Sequence, residues 1–157
     1  MAPLVLWRLS KAAHAKTALD GEGARIVGGR WNRRGRRAVY LSEHLSAAVL
    51  ELLVHIEIPM APRLVSIRVE VPPDVKIYQP ALADLPPDWR ETPGQPDSTR
   101  AFAEKWFAGG ATALMRVPSV IVPEEFNYVL NPDHPDAGKL SVRAPEPFAL
   151  DPRLQRQ

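Results

Sequence analysis

The residues best suited to chemistry in this 157-residue chain lie in the stretch 21–37, GEGARIVGGRWNRRGRR. It contains five of the chain's nine glycines and six arginines, which are Arg25, Arg30, Arg33, Arg34, Arg36 and Arg37. Glycine lets a backbone turn tightly and approach a ligand closely, and the planar guanidinium fork of arginine matches phosphate oxygens. The stretch therefore predicts a loop that binds a phosphorylated or otherwise anionic ligand.

A second chemical signal is a single carboxylate, Glu51, inside an apolar run. The run predicts a helix from Ser42, as its cap, to Ile56. Apolar residues occur on more than one side of this helix, so we expect it to be buried on more than one face. An otherwise apolar helix rarely keeps a carboxylate without a partner or a purpose. The ordinary interpretation is an ion pair with His55, four residues later.

Composition narrows the function classes. The chain is 45% hydrophobic and 24% charged, as expected for a globular domain. It has no cysteine, which excludes disulfides and thiolate zinc sites and fits a cytoplasmic location. No apolar run approaches the roughly 18 residues of a membrane helix, and residues 1–10 do not resemble a signal peptide. The formal charge is only +2, with the positive excess in residues 25–37, which favours a local anion site over a nucleic-acid-binding surface.

Other elements must position these residues. Alternating apolar residues predict strands at 4–9, 38–41 and 64–71, the last half-exposed, and strands at 112–122 and 126–130. A short helix is expected within 10–20. A further helix spans 98–108, with Ser98 as its cap and Gly109-Gly110 ending it. The proline-rich segment 72–97 is a long connection.

Several single residues have ordinary structural interpretations. Tyr40 lies in a short strand, where aromatic residues usually belong to the core. Ser119 has no recognisable histidine and aspartate partners, so we do not expect a nucleophile. Asn127 and Asn131 are expected to hold turns. The isolated histidines lack ligand spacing, and we expect no metal.

The ordered pieces together resemble the RES domain family, named for an arginine, a glutamate and a serine. The pieces are Trp7-Arg8, GGRWN (28–32), VYLSE (39–43) followed by Glu51, Ser119, and EFNYVLNPDHP (125–135). The resemblance covers about residues 5–135. It implies a single domain, 1–157, of the α+β class, in which 136–157 form a strand and a proline-rich tail. The implied core is a split, mixed β-sheet flanked by helices, as in diphtheria toxin-like ADP-ribosyltransferases.

The resemblance also implies a bacterial toxin that uses NAD⁺ as substrate. The family pattern assigns Arg8, Arg30, Tyr40, Glu51 and Ser119 to its site. Glu51 would stabilise the oxocarbenium-like transition state of nicotinamide–ribose cleavage. The arginines would bind phosphates or ribose hydroxyls, Tyr40 would stack on nicotinamide, and Ser119 would hydrogen-bond the nicotinamide amide or a ribose hydroxyl. The implied partner is an Xre-like helix-turn-helix antitoxin that covers the site.

Three functions stay open at this point. The first is a toxin that transfers ADP-ribose from NAD⁺ to water or phosphate. The second is a mono-ADP-ribosyltransferase acting on a protein such as phosphoribosyl pyrophosphate synthetase. The third is a basic nucleic-acid-binding module built on the arginines of 25–37, which the lack of a recognisable nucleic-acid motif disfavours.

Overall fold

The computed structural model describes residues 1–55, 62–92, 94 and 96–155. Its eight strands are β1 (Leu4–Lys11), β2 (Val39–Ser42), β3 (Leu64–Val71), β4 (Ile77–Tyr78), β5 (Leu114–Pro118), β6 (Phe126–Leu130), β7 (Ser141–Val142) and β8 (Glu146–Phe148). Three α-helices accompany them: α1 (Glu22–Val27), α2 (Leu45–Leu53) and α3 (Asp97–Gly109). Short 3-10 helices occupy Ala12–Thr17, Leu82–Asp84, Pro135–Lys139 and Pro152–Gln155.

The strands form one mixed sheet with the order β4-β5-β6-β2-β1-β3-β7, and β8 also pairs with β3. The β4–β5 pair is parallel, and the other pairs are antiparallel. β1 and β2 share a single residue pair, Trp7 with Ser42. The sheet therefore divides at this position into a β4-β5-β6-β2 half and a β1-β3-β7 half, which matches the predicted split sheet.

Two apolar clusters cover the sheet. One contains Leu6, Ile67 and Val69 with apolar residues from one face of β2, β5 and β6. The other joins Trp31 of the glycine-rich stretch to Trp106 and Phe107 of α3. The second cluster holds the glycine-rich stretch against the sheet. Arg30, the residue before Trp31, is therefore attached to a packed part of the fold.

The predicted elements are present, but several of their details were wrong, including the strand expected at 112–122, which is the shorter β5. Ser42 is the last residue of β2, and the helix-capping position belongs to His44, whose side chain makes no capping bond. Ile56, the predicted last residue of that helix, lies outside the described residues. The helix is less buried than expected, because Ala47 and Ala48 are its buried residues, whereas Leu50 and the following Val54 are exposed.

The strand 64–71 is mostly buried, not half-exposed, because β1 pairs with one edge of it and β7 and β8 with the other. The helix of 98–108 begins one residue earlier, after Pro96 as the capping residue, and Gly110 ends it with a φ of 63°. Ser98 instead donates a hydrogen bond to Asp88. The glycine-rich stretch contains a helix, α1, where the sequence predicted only a loop.

Candidate active site

A cleft of about 1160 Å³ lies where the two halves of the sheet diverge. Its floor includes consecutive residues of both strands, Trp7–Leu9 of β1 and Tyr40–Ser42 of β2. Small-molecule sites commonly enclose about 300–1,000 Å³, so this cleft has room for a ligand as large as a dinucleotide. Four of the five predicted site residues line it, namely Arg8, Arg30, Tyr40 and Glu51.

One side of the cleft, which we call the carboxylate wall, is formed by Glu51 with Ser119 and Asn127 behind and beside it. The Ser119 hydroxyl donates to Glu51 Oε1 at 3.1 Å, and Asn127 Nδ2 donates to the same oxygen at 2.8 Å. Within the described residues, no donor contacts Glu51 Oε2. The carboxylate is therefore held through one oxygen, and its other oxygen stays available to a ligand in the cleft.

Ser119 lies behind Glu51, and it is not among the residues that line the cleft. It is 3% exposed, and its Oγ accepts hydrogen bonds from the backbone N–H groups of Ile121 at 3.1 Å and Val122 at 3.2 Å. A hydroxyl has one proton to donate, and here Glu51 receives it. This geometry favours a supporting role over the predicted direct contact with nicotinamide or ribose.

Asn127 lines the cleft, and the sequence-based expectation for it was wrong. It was expected to hold a turn, but it lies within β6 and donates to Glu51. Asn131 does hold a turn, since its Oδ1 accepts from the backbone N–H of Asp133 at 3.1 Å. Asparagine is a poor strand former, so its position inside the apolar strand FNYVL was the signal that could have identified Asn127.

The ordinary interpretation of Glu51, an ion pair with His55, is not what the structure shows. Glu51 instead accepts hydrogen bonds from Ser119, which directly follows β5, and from Asn127, which lies on β6. His55 is exposed and lines the cleft. The single carboxylate in an apolar helix thus has polar partners from distant parts of the chain.

Another part of the cleft lining, which we call the arginine wall, consists of the turn 28–32 with residues 89–92 and 94. Arg30 Nη1 donates to the carbonyl oxygens of Trp89 at 3.1 Å and Glu91 at 3.0 Å, and its Nη2 donates to that of Gly94 at 3.2 Å. One arginine side chain therefore binds the proline-rich connection to the glycine-rich turn. Thr92 and Gly94 of this connection line the cleft.

The positive charge of Arg30 also interacts with the negative charge of Glu51. Burial lowers the pKa of Arg30, and the negative charge of Glu51 opposes that shift. The guanidinium stays protonated at any physiological pH. Three carbonyl partners do not neutralise its charge, so the arginine wall presents a positive field towards the carboxylate wall.

Tyr40 fixes the turn that carries Arg30. Its hydroxyl donates to Asn32 Oδ1 at 2.6 Å and accepts from the backbone N–H of Trp31 at 3.0 Å. Burial raises the pKa of Tyr40 well above its ordinary value, so the hydroxyl stays protonated and cannot act as a base. A Cβ on Gly29 would lie 2.5 Å from the Tyr40 hydroxyl, which explains why a glycine occupies this position.

Arg8 lies on β1 on the cleft floor with incomplete hydrogen bonding. Its Nη1 donates to the backbone carbonyl of Tyr40 at 3.1 Å, while its buried Nε has no hydrogen-bond partner among the described residues. Burial lowers the pKa of Arg8, with an opposing effect from the charge of Asp20. A buried cation with an unused N–H is costly unless a ligand completes its bonding. Arg8 is therefore suited to an anionic group in the cleft.

Four of the other arginines of the stretch bind acidic residues of the protein, whereas Arg34 donates to the backbone carbonyl of Val27. The pairs are Arg25 with Glu22, Arg36 with Glu104, Arg33 with Asp97, and Arg37 with both Glu22 and Asp133. The positive charges of these four side chains are therefore largely compensated. Arg8 and Arg30, which form no ion pair among the described residues, line the cleft.

Three residues with side chains of the kind that bind metals lie close together outside the cleft. The ligand atoms of Glu43, His44 and Glu125 lie within 4.8 Å of one another, but none of these residues lines the cleft. The contact of 2.6 Å between His44 Nδ1 and Glu125 Oε2 accounts for their proximity as an ion pair. The expectation of a metal-free active site stays a prediction. None of the described helices is long and apolar enough to cross a membrane.

Comparisons with known proteins agree with the resemblance seen in the sequence. The family model of the RES domain matches residues 5–151. The "Prs ADP-ribosylating toxin" of Sphingobium sp. (strain YBL2) is 39% identical, over 96% of this chain and 96% of the relative. "Toxin Res" of Pseudomonas putida is 37% identical, over 96% and 99% of the two chains. "Toxin Res" of Yersinia enterocolitica is 35% identical, over 97% and 100%.

A solved structure shares the fold. A chain in the crystal structure of the M. tuberculosis MbcT–MbcA toxin–antitoxin complex superposes with a TM-score of 0.70 over 98% of this chain and 87% of that chain. The two chains are 22% identical, so the likeness speaks for the fold alone. It confirms the predicted α+β architecture with a mixed sheet.

Proposed function

Because the chain belongs to the RES domain family, we propose that its cleft binds NAD⁺ and cleaves the bond between nicotinamide and ribose. The chain is a RES-type toxin, and in this proposal the loss of cellular NAD⁺ arrests growth. The observation that carries the proposal is the Glu51 carboxylate, held through Oε1 among the described residues, in a cleft that the cations of Arg30 and Arg8 also line.

Glu51 supplies the negative charge that the reaction needs. When the bond from ribose C1′ to nicotinamide breaks, its electron pair leaves with the ring nitrogen and positive charge develops on the sugar. A fixed carboxylate beside C1′ stabilises this charge without having to reorganise. The open Oε2 can also accept a hydrogen bond from a ribose hydroxyl. Water or phosphate then adds to C1′, and water loses a proton to the solvent.

Arg8 and Arg30 hold the anionic part of the substrate in this proposal. Arg8 lines the cleft and has one hydrogen bond, from Nη1 to the carbonyl of Tyr40, so its other exposed N–H groups can donate to a phosphate oxygen. Arg30 adds positive charge from the other side and keeps the 89–94 segment in place as a wall. Tyr40 contributes its ring to the cleft floor for stacking against nicotinamide, since its hydroxyl is already bonded to the turn.

Ser119 acts through Glu51 and does not touch the substrate in this proposal. Its single proton is donated to the carboxylate, and it does not line the cleft. Glu51, Arg8, Arg30 and Tyr40 are the residues proposed to contact NAD⁺.

The second candidate is transfer of ADP-ribose to a protein side chain. The name of the Sphingobium relative, an ADP-ribosylating toxin, favours it specifically. The same contacts to NAD⁺ serve both reactions, and only the acceptor differs. The nucleic-acid-binding alternative loses its physical basis, because acidic side chains pair with Arg33, Arg36 and Arg37.

The proposed partner is an antitoxin of the Xre-like helix-turn-helix type that covers the cleft in the cytoplasm. Val27 and Val54 line the cleft yet are 67% and 60% exposed, so its rim offers apolar contacts around a cationic interior. An acidic segment or a C-terminal carboxylate inserted between Arg8 and Arg30 would complement that charge. Arg30→Glu should weaken such a complex.

One experiment tests the reaction and its acceptor together. Purified protein is incubated with NAD⁺, with and without phosphate, and the products are identified by mass spectrometry. Free nicotinamide with ADP-ribose indicates water as the acceptor, and ADP-ribose phosphate indicates phosphate. ADP-ribose on a protein in a cell extract, with no turnover of NAD⁺ alone, indicates the second candidate. Intact NAD⁺ in all three incubations, without phosphate, with phosphate and with cell extract, would contradict the proposed function.

A further inference from the structure

Asn127 hydrogen-bonds to two other side chains of the site. It is a polar residue in the strand FNYVL, whose last three residues are buried. Strands disfavour asparagine, and here its amide bridges two side chains. Nδ2 donates to Glu51 Oε1 at 2.8 Å, while Oδ1 accepts from the hydroxyl of Ser42 at 3.1 Å.

Ser42 determines which end of the amide faces Glu51. An asparagine amide can rotate to exchange its oxygen and nitrogen, and only its hydrogen-bond partners decide between the two orientations. The Ser42 hydroxyl is 6% exposed and lies directly opposite Asn127 in the β2–β6 pairing. By donating to Oδ1, it turns the Nδ2 protons towards the carboxylate.

Ser119 provides the second fixed donor to Glu51. Its hydroxyl oxygen already accepts from two backbone N–H groups, those of Ile121 and Val122. Its single proton is therefore directed at Glu51 Oε1. Both donors to this oxygen are thus fixed in direction by groups behind them.

We propose that Asn127 is a positioning residue for Glu51, and that Ser42 acts one bond further away by setting the direction of the Asn127 amide. This inference rests on the proposed function of Glu51 in NAD⁺ cleavage. Two donors on Oε1 select one side-chain conformation, which presents Oε2 to the sugar. Without Asn127, the carboxylate would rotate about its remaining bond to Ser119 and move away from C1′.

The kinetic test compares Asn127→Ala and Asn127→Asp with Ser42→Ala and Ser42→Thr. Misplacing a reacting group by about 1 Å costs on the order of 10²-fold in rate, so we expect a loss of this size in kcat for Asn127→Ala. Asn127→Asp should be worse, since it faces Glu51 with a second carboxylate. KM for NAD⁺ should change much less than kcat in both variants, because Asn127 does not bind the phosphates.

The Ser42 variants separate positioning from packing. Ser42→Ala should lower kcat by a smaller factor than Asn127→Ala, and Ser42→Thr, which keeps the hydroxyl, should restore most of the rate. Ser66→Ala, a buried serine of β3 outside the residues lining the cleft, is the matched control and should keep the wild-type kcat. A kcat unchanged in folded Asn127→Ala and Ser42→Ala would overturn the proposal.

A second measurement does not depend on NAD⁺ turnover. Proton–nitrogen NMR of the Asn127 side-chain amide should show slowly exchanging protons in the wild type. Their shifts should change in Ser42→Ala and in Glu51→Ala. If the wild type fails to consume NAD⁺, the proposed function fails, and this amide signal alone decides the positioning role. Fast exchange that is the same in all three proteins would contradict it.

Discussion

The two walls of the cleft are built by different means. On the carboxylate wall, side chains of neighbouring strands and the helix bond to one another, from Ser42 through Asn127 to Glu51. On the arginine wall, the Arg30 side chain bonds to backbone carbonyls of a connecting segment. The first arrangement orients one atom with respect to the sheet. The second holds a long irregular segment in place. In the proposed function, the carboxylate wall would therefore carry the chemistry, and the arginine wall would enclose the substrate.

The largest effect should come from removing the charge on the carboxylate wall. Glu51→Gln keeps an oxygen that accepts from Ser119 and Asn127, so the variant should fold normally. Losing a charge that favours the transition state should lower NAD⁺ turnover by on the order of 10²–10³-fold. Turnover is measured by nicotinamide release, with folding checked by circular dichroism.

The matched control is Glu146→Gln, an exposed carboxylate on β8. It should retain the wild-type turnover. Near-wild-type turnover in folded Glu51→Gln would show that the Glu51 charge does not take part in the reaction. The assignment of the chemistry to the carboxylate wall would then be wrong.

Breaking the arginine wall should have the next largest effect. Arg30→Ala leaves the carbonyls of Trp89, Glu91 and Gly94 without their shared donor and removes a charge from the cleft. We expect kcat/KM to fall by about 10–100-fold, as for the loss of charge-assisted bonds. Limited proteolysis should become faster near 89–94.

Arg36→Ala is the matched arginine control, since Arg36 pairs with Glu104 and lies over the Phe107 ring outside the cleft. It should change the unfolding free energy by only about 0–1 kcal/mol, as for a partly exposed pair, and leave turnover unchanged. Equal effects of the two substitutions on turnover would mean that the stretch acts only as a diffuse positive field.

A substitution of Arg8, on the cleft floor, should affect NAD⁺ binding and the free energy of unfolding in different ways. Arg8→Met removes a buried guanidinium whose Nε has no partner among the described residues. The unfolding free energy without ligand should stay the same or rise, because apolar replacement of a buried charge is often neutral or stabilising by about 1–4 kcal/mol. The Kd for NAD⁺ should rise by about 10–100-fold, which corresponds to lost bonds of about 1.5–3 kcal/mol.

Urea unfolding and calorimetric titration with NAD⁺ measure these two quantities. A large loss of stability with unchanged NAD⁺ affinity would show that Arg8 only joins β1 to β2.

The smallest effect on turnover should come from Tyr40→Phe. The ring stays on the cleft floor, but the Trp31 N–H and Asn32 Oδ1 lose their partner. Leaving a buried polar group unpaired costs about 1–3 kcal/mol, so urea unfolding should detect a clear destabilisation. Turnover per folded molecule should fall only several-fold. A severe loss of turnover at unchanged stability would place the hydroxyl in the chemistry.

The sequence predicted the local elements well and the relations between them poorly. β1, β2 and the helix of Glu51 follow from periodicity, and the RES resemblance identifies Arg8, Arg30, Tyr40 and Glu51, which line one cleft. The assignment of roles to these residues stays a prediction.

The asparagine inside an apolar strand was a local signal, but its partners could not be predicted, because the β2–β6 pairing places Asn127 opposite Ser42, 85 residues away in the chain. The apolar run around Glu51 also predicted deeper burial than α2 has. Hydrophobicity indicated which residues could be buried, but only the packing of α2 against the sheet determines which of them are.

The contacts of Arg30 have a consequence for how this protein can change over time. A carbonyl oxygen is present at every position of a chain, whatever the side chain, and proline removes a backbone N–H without removing its acceptor. The three bonds to Arg30 therefore do not depend on the side chains of Trp89, Glu91 and Gly94. The carboxylate wall has no such freedom, because its bonds run between the side chains of Glu51, Ser119 and Asn127.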